Sequence, residues 1–477
     1  MIKQKITYVL ATIAFLGSAI FFQAHASEIQ AAGNGAFSNT SVNTNSTNTT
    51  NATQNSTNNI QNNIVAVADT GHNSASFNTG STVNVTSGDA NTNVSVANLT
   101  NGNTATVMSS AADSNTPSGA ISAGNGAFSQ SSINTNTSNN TSVSQNSNAH
   151  ISNTISAQSN TANNAANFNT GSNVSVQTGN ANNTVGILNS TGSNTANVTG
   201  NDGNSESLPI VAGNGAFSAN NVDSSSRNST NLSQSDITQI ANHVAIDNNT
   251  GNNGASFNTG GNVNILTGNA NSQVGITNLT GGNMASITDF TGNDWLPTYL
   301  SGNGALSDNS VSTRNTIRTN LTQNSLTNVA NYIESMNNTG GNNASFNTGT
   351  NVYTTSGSAN SFVSLFNTPS ANSAYLSMMG GFGNAINSTS IFGNGAFSNN
   401  NVSNSQNNVT QVDQNAAASI LNNILSKNNT GDNGSAFGTG GNDFMSYLDP
   451  STSFSESGNA GTTLSMTNLA PANYLSY

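Results

Sequence analysis

Along most of the chain apolar residues alternate with polar ones. The pattern apolar-x-Asn-x-apolar appears at Ile60–Ile64, Ile151–Ile155, Ile240–Val244, Val329–Ile333 and Ile420–Ile424. Further alternating pairs follow, such as Val83 and Val85, Val174 and Val176, and Val263 and Ile265, then Val94 and Val96. Period two predicts strands, and the T-G and N-T-G dipeptides between the runs predict tight turns. Asn, Ser, Thr and Gly are mediocre or poor helix formers, which agrees. Over 320–337 and 411–427 the spacing of Val329, Ile333 and Met336, or of Ile420, Ile424 and Leu425, also fits an amphipathic helix. One short helix per unit stays open there, although the central Asn favours a strand, on which it shares a face with its apolar neighbours.

The pattern recurs five times. GNGAFS, or a close variant, begins at Gly33, Gly124, Gly213, Gly302 and Gly393, at spacings of 91, 89, 89 and 91. It carries Phe37, Phe128, Phe217 and Phe397, with Leu306 in the fourth copy. A second string, N-x-A-S-F-N-T-G or a close variant, places Phe77, Phe168, Phe257, Phe346 and Phe437 each 44 residues after the opening glycine. Between the two strings Val42, Ile133, Val222, Val311 and Val402 keep step, as do Gln54, Gln145, Gln234, Gln323 and Gln414. The repeated Asn is Asn62, Asn153, Asn242, Asn331 or Asn422. These phenylalanines and asparagines are the candidate structural positions. GNGAFS reads as a backbone corner, in which glycine permits positive φ and the phenylalanine anchors the next strand.

Each copy has about a dozen sizeable apolar positions, few for an independent sandwich. Stacked coils need fewer, because each buries its face on the next. The expected fold is therefore all-β, a β-solenoid of five ~90-residue units whose inward Asn and Thr form ladders at the ~4.7–4.9 Å strand spacing. Tandem small β-sandwich domains are the alternative. The expected organisation is a leader at 1–26, a short lead at 27–32, and repeats at 33–123, 124–212, 213–301 and 302–392. A partial fifth repeat at 393–437 and an atypical cap at 438–477 complete it, since terminal repeats often differ.

Lys3 and Lys5, the apolar stretch from Val9 to Phe22 and Ala24-His25-Ala26 form a secretory leader pattern with cleavage after Ala26. No later window has the apolar length of a membrane helix, so no span is expected in the mature chain. The formal charge is −12, and Arg227, Arg314, Arg318 and Lys427 are the only basic residues beyond the leader. Nucleic acid and anionic lipid are excluded as partners on that ground. Cysteine is absent and charged residues are 5% of the chain, so stability must come from backbone pairing and repetition.

Catalytic patterns do not emerge. His25, His72, His150 and His243 fall at non-equivalent repeat positions, unlike clustered metal ligands. Acids are scattered rather than paired for glycoside cleavage, and no G-x-S-x-G elbow with a histidine partner appears. Asp202, Asp432 and Asp443 lie in Gly- or Asn-rich stretches and leave calcium open, but the Gly-Gly-x-Gly-x-Asp nonapeptide is missing. A non-enzymatic protein without an obligatory cofactor is expected.

Through N-x-A-S-F-N-T-G and V-x-x-x-T-G-x-A-N the chain resembles Asn/Gly/Thr-rich repeat proteins of the bacterial cell surface, including those of small-genome candidate-phylum lineages. It also resembles curlin-type fibre subunits, whose repeats stack through Gln and Asn. The resemblance is compositional and covers most of Gly33 to Phe437; the unit here is longer, and its single repeated Gln departs from curlin's closely spaced signature. It implies export and surface exposure. The expected role is a structural or adhesive surface protein, with itself or surface glycans as partner; a glycan- or ice-binding solenoid is the alternative.

Overall fold

The computed structural model describes residues 7–10, 17–22, 29–32, 35–80, 82–109, 120–171, 173–199, 210–289, 298–348, 351–378, 389–434 and 452–476. Three short strands come first, β1 (Thr7–Leu10), β2 (Gly17–Phe22) and β3 (Ile29–Ala32). Coil one contains β4 (Asn39–Asp69), β5 (Val83–Thr86), β6 (Ala90–Leu99), β7 (Thr104–Ser109) and β8 (Ala120–Ala123). Coil two repeats them as β9 (Gln130–Asn160), β10 (Val174–Gln177), β11 (Ala181–Ser190), β12 (Asn194–Thr199) and β13 (Ile210–Ala212). Coil three has β14 (Ala219–Asn249), β15 (Val263–Leu266), β16 (Ala270–Leu279), β17 (Asn283–Asp289) and β18 (Thr298–Ser301). Coil four has β19 (Asp308–Asn338), β20 (Asn351–Thr355), β21 (Ala359–Thr368), β22 (Asn372–Met378) and β23 (Thr389–Phe392). Coil five has β24 (Asn399–Asn429), β25 (Thr452–Glu456), β26 (Ala460–Asn468) and β27 (Asn473–Ser476).

Every described strand pairing is parallel and joins equivalent strands of successive layers, as in β24-β19-β14-β9-β4 and β1-β6-β11-β16-β21-β26. The fold is thus an all-β solenoid, and parallel pairing between repeats excludes tandem sandwiches. Each ~90-residue repeat forms one layer. Its long strand has 31 residues, about 100 Å at ~3.3 Å per residue, and five layers rise only about 24 Å. The segments 320–337 and 411–427, where a helix was open, lie wholly in β19 and β24. Pairing of all 31 backbone positions with the coils above and below outweighs the local helical spacing.

Within a coil the long strand forms one wall and the shorter strands return along it. Ile64, Val94, Val96 and their equivalents fill the seam beneath β6. Ala52, Ala105 and Val107 begin the seam beneath β7, and Val83 and Val85 pack with the 75–166–255–344 column at the far end. Ile133 packs with Val211 and Leu300, closing the near end. Ser122 Oγ donates to Ser131 Oγ at 2.9 Å, so the last strand of one coil touches the start of the next long strand.

The expected cap at 438–477 needs correction. Strands β25, β26 and β27 continue the return wall, pairing Asn351 with Thr452, Ala359 with Ala460 and Asn372 with Asn473. Each pair is 101 residues apart, whereas the fourth and fifth corner glycines are 91 apart. Ten inserted residues, not a different architecture, break the pattern after Phe437, and the described part of the fifth coil repeats the first four of the five strands.

Candidate functional site

The repeated side chains assemble into columns that run through the stack. Asn62 Nδ2 donates to Asn153 Oδ1, Asn153 to Asn242, Asn242 to Asn331 and Asn331 to Asn422, each at 2.7 Å. The expected Asn positions are therefore one continuous buried ladder. Opposite it stands a second ladder, Asn98 to Asn189 to Asn278 to Asn367 to Asn468, at 2.6–2.8 Å. The two are laced together, for example by Asn62 Nδ2 to Asn98 Oδ1 at 2.8 Å and Asn153 Nδ2 to Asn189 Oδ1 at 3.1 Å. Side-chain amides suit this place because each supplies both donors and acceptors, and a buried polar group without partners is costly.

A glutamine column runs with the opposite polarity. Gln145 Nε2 donates back to Gln54 Oε1, and Gln234, Gln323 and Gln414 follow, all at 2.7 Å. A further ladder, Asn103 to Asn194 to Asn283 to Asn372 to Asn473 at 2.9–3.1 Å, lies at the turn between the return strands. Its members also donate to long-strand carbonyls, as Asn194 does to Ser235 at 2.7 Å. The Asn98 and Asn103 columns were not nominated from the sequence. A signal was present: Asn-x4-Asn occurs at Asn98, Asn189, Asn278, Asn367 and Asn468 in all five copies.

The phenylalanines stand elsewhere. Phe37, Phe128 and Phe217 stack with ring centroids 5.1 and 4.8 Å apart; Phe77, Phe168, Phe257 and Phe346 stack at 5.1, 4.9 and 4.8 Å, tilted by no more than 4°. Leu306 interrupts the first row before Phe397, and Phe437 lies outside the described residues. Both rows are on the surface, with Phe77 75% and Phe257 45% exposed. The phenylalanines expected to anchor the next strand thus stand at the corner outside the core. Each described member sits at positive φ, from 56° to 62°, which turns its side chain outward at the corner. That conformation costs an L-residue about 1–2 kcal/mol, and stacking on the neighbouring ring offsets part of it.

Glycine does two jobs at the GNGAFS corner. The first, as Gly213, takes φ +66°. The second lets successive corners approach: a Cβ on Gly215 would lie 2.4 Å from the Ala127 backbone nitrogen of the layer below.

One buried group breaks the uniformity. Asp236 shares an inward column with Ser56, Ser147, Ser325 and Ala416 and is 1% exposed. Ser370 Oγ donates to its Oδ2 at 3.1 Å, while Oδ1 has no partner. Burial lifts its carboxyl to about 7, the bonds from Ser370 and Ser147 pulling weakly the other way. Asp247, half-buried on the outer face, is also raised by burial. Ser370 is itself tied to Thr327, whose Oγ1 donates to its Oγ at 2.8 Å, and to Thr280 Oγ1 at 3.1 Å.

Among the described residues no three His, Asp or Glu side chains gather as metal ligands. Asp432 lies in the turn after β24, at φ 56°, and Asp202 and Asp443 are outside the described residues. His72 lies 3.5 Å from Asp69 on the surface, and the His243 ring meets Tyr332 at 4.9 Å; His150 is exposed on the outer wall and His25 is not described. No described helix is long and apolar enough to cross a membrane. No family model, curated protein or solved structure matches the chain.

Proposed function

We propose that this is a secreted or cell-surface structural protein of bacteria, a fibre, stalk or matrix component whose outer wall is adhesive, and that it carries no catalytic activity. One observation carries the reading: the side chains kept constant from coil to coil are those that bond coil to coil. The Gln54 and Asn62 columns are uniform through all five layers, and their amides bond along the stack and across to the return strands rather than facing a substrate. Among the outward columns of the long strand are ones that vary. The column of Thr57 continues as Asn148, Ile237, Leu326 and Ala417, so it offers no row of identical groups of the kind a glycan- or ice-binding solenoid would need. A wall about 100 Å long and almost free of charge suits broad, weak contact with a surface.

Immunogold labelling of producing cells, combined with a glycan array and a polysaccharide turnover panel, tests this. Surface label with retention on cells or glycans and no turnover is expected. Turnover of any polysaccharide, or a protein confined to the cell interior, would overturn it.

A further inference from the structure

We propose that the two ends of the solenoid join, so that copies of this chain stack head to tail in register, and that the N-terminal strands β1 and β2 block the joint until they are removed. The inference gives the structural reading its partner and depends on that reading only for the export step that removes the leader.

The two outermost described layers are copies of the same repeat. In the long wall β4 and β24 are the outermost described strands, each of 31 residues, and each turns a strand edge outward, a ready template for another chain. Laying coil one of a second copy on coil five would pair β24 with β4 in the register that already joins β4 to β9. The ladders point the right way. Amide nitrogens of the Asn62 column face the C-terminal end and oxygens the N-terminal end. At the last rung Asn422 keeps the lateral bond that every rung makes, here to Asn468 Oδ1 at 3.3 Å, and in place of an axial amide its Nδ2 meets Met466 Sδ at 3.0 Å. A second copy's Asn62 would restore the axial bond.

The apolar seam makes the same case. Leu464 and Met466 continue the columns of Val363 and Leu365, yet they are 49% and 45% exposed because nothing lies over them. Their counterparts at the other end, Val94 and Val96, are each only 1% exposed. The difference is β1, which pairs Thr7 with Val94 and Val9 with Val96, while β2 pairs along β7. These are the places that β26 and β27 of a preceding copy would take. β1 and β2 thus imitate a preceding layer over the return wall, and no described strand lies over the long wall of coil one.

The test uses the full chain with Asn55→Cys and Asn415→Cys and a protease recognition sequence placed across 23–28. Both cysteines are on the outer face, in one column, and the chain has no others. Before the cut, few 55–415 intermolecular disulfides should form. After the cut and removal of the freed leader, they should rise at least tenfold with protein concentration, and light scattering of the cut chain without the cysteines should show growing rods. A cut chain that stays monodisperse without 55–415 links would overturn the joint, as would links only of 415 to 415. Equal linking before the cut would overturn the blocking role of β1 and β2. None of these outcomes decides surface binding, so failure here is distinguishable from failure of the structural reading.

Discussion

On β14, Gln234, Ile240 and Asn242 point inward while Ser233, Ile237 and His243 point outward, and the two sets follow different rules from coil to coil. The Gln234 and Asn242 columns keep one residue type through five layers. The His243 column reads Asn63, Thr154, His243, Tyr332 and Asn423. An inward amide is satisfied only by an identical amide one strand spacing away, so changing one member orphans its neighbours on both sides. An outward side chain has water for a partner and is free to change. Along β14 repetition is strictest at these inward amides.

Breaking the inner rule should cost most. Asn242→Ala removes a residue bonded to Asn331, Asn153, Asn278 and Asn189. It should lower unfolding stability by about 4–5 kcal/mol, combining unpaired amides with a cavity; urea titration measures it. Next comes Asp236, the inward position that departs from its column. Its carboxyl is raised from 3.8 in the unfolded chain to about 7 in the folded one, so the folded state holds the proton more tightly. Stability is therefore fullest below about pH 4 and declines as pH rises through 7. Such a shift corresponds to at most about 4 kcal/mol. Asp236→Asn should recover about 2 kcal/mol at pH 8 and nothing at pH 4, read by melts at both values. Asp247 shares the direction of shift, so only the difference between wild type and variant isolates Asp236.

The corner stacks should respond less. Phe257→Ala removes two ring contacts at 4.9 and 4.8 Å from a half-exposed row and should cost about 1 kcal/mol in a urea melt. Smallest of all, Ser233→Ala on the outer wall should stay within about 0.5 kcal/mol of wild type. A loss there as large as that of Asn242→Ala would erase the contrast between faces.

The same contrast explains what could be read from the sequence. Apolar positions such as Ile240 and Val244 carry period two openly, and with the repeat spacing they gave the all-β solenoid and the buried Asn62 column. Between Val42 and Ala52, however, the long strand has no apolar residue. Its alternation is of Asn, Thr and Ser alone, to which hydropathy is blind, and the strand is fixed instead by residue-for-residue pairing with β9. The corner at GNGAFS was legible from its glycine, but nothing local announces φ near +60° at the phenylalanine itself. The return strands of the fifth coil were hidden by ten inserted residues, although Asn468 and Asn473 preserve the spacing of Asn367 and Asn372.

One distance tests the single-layer coil most directly. Ser144 and Ser233 lie 89 residues apart in sequence and directly opposite one another on neighbouring strands, and both face outward on a chain without cysteine. With spin labels at Ser144→Cys and Ser233→Cys, strong dipolar broadening is expected from backbones about 4.8 Å apart. Labels separated by more than about 20 Å, as separately folded domains of typical size would place them, would contradict the stacked solenoid.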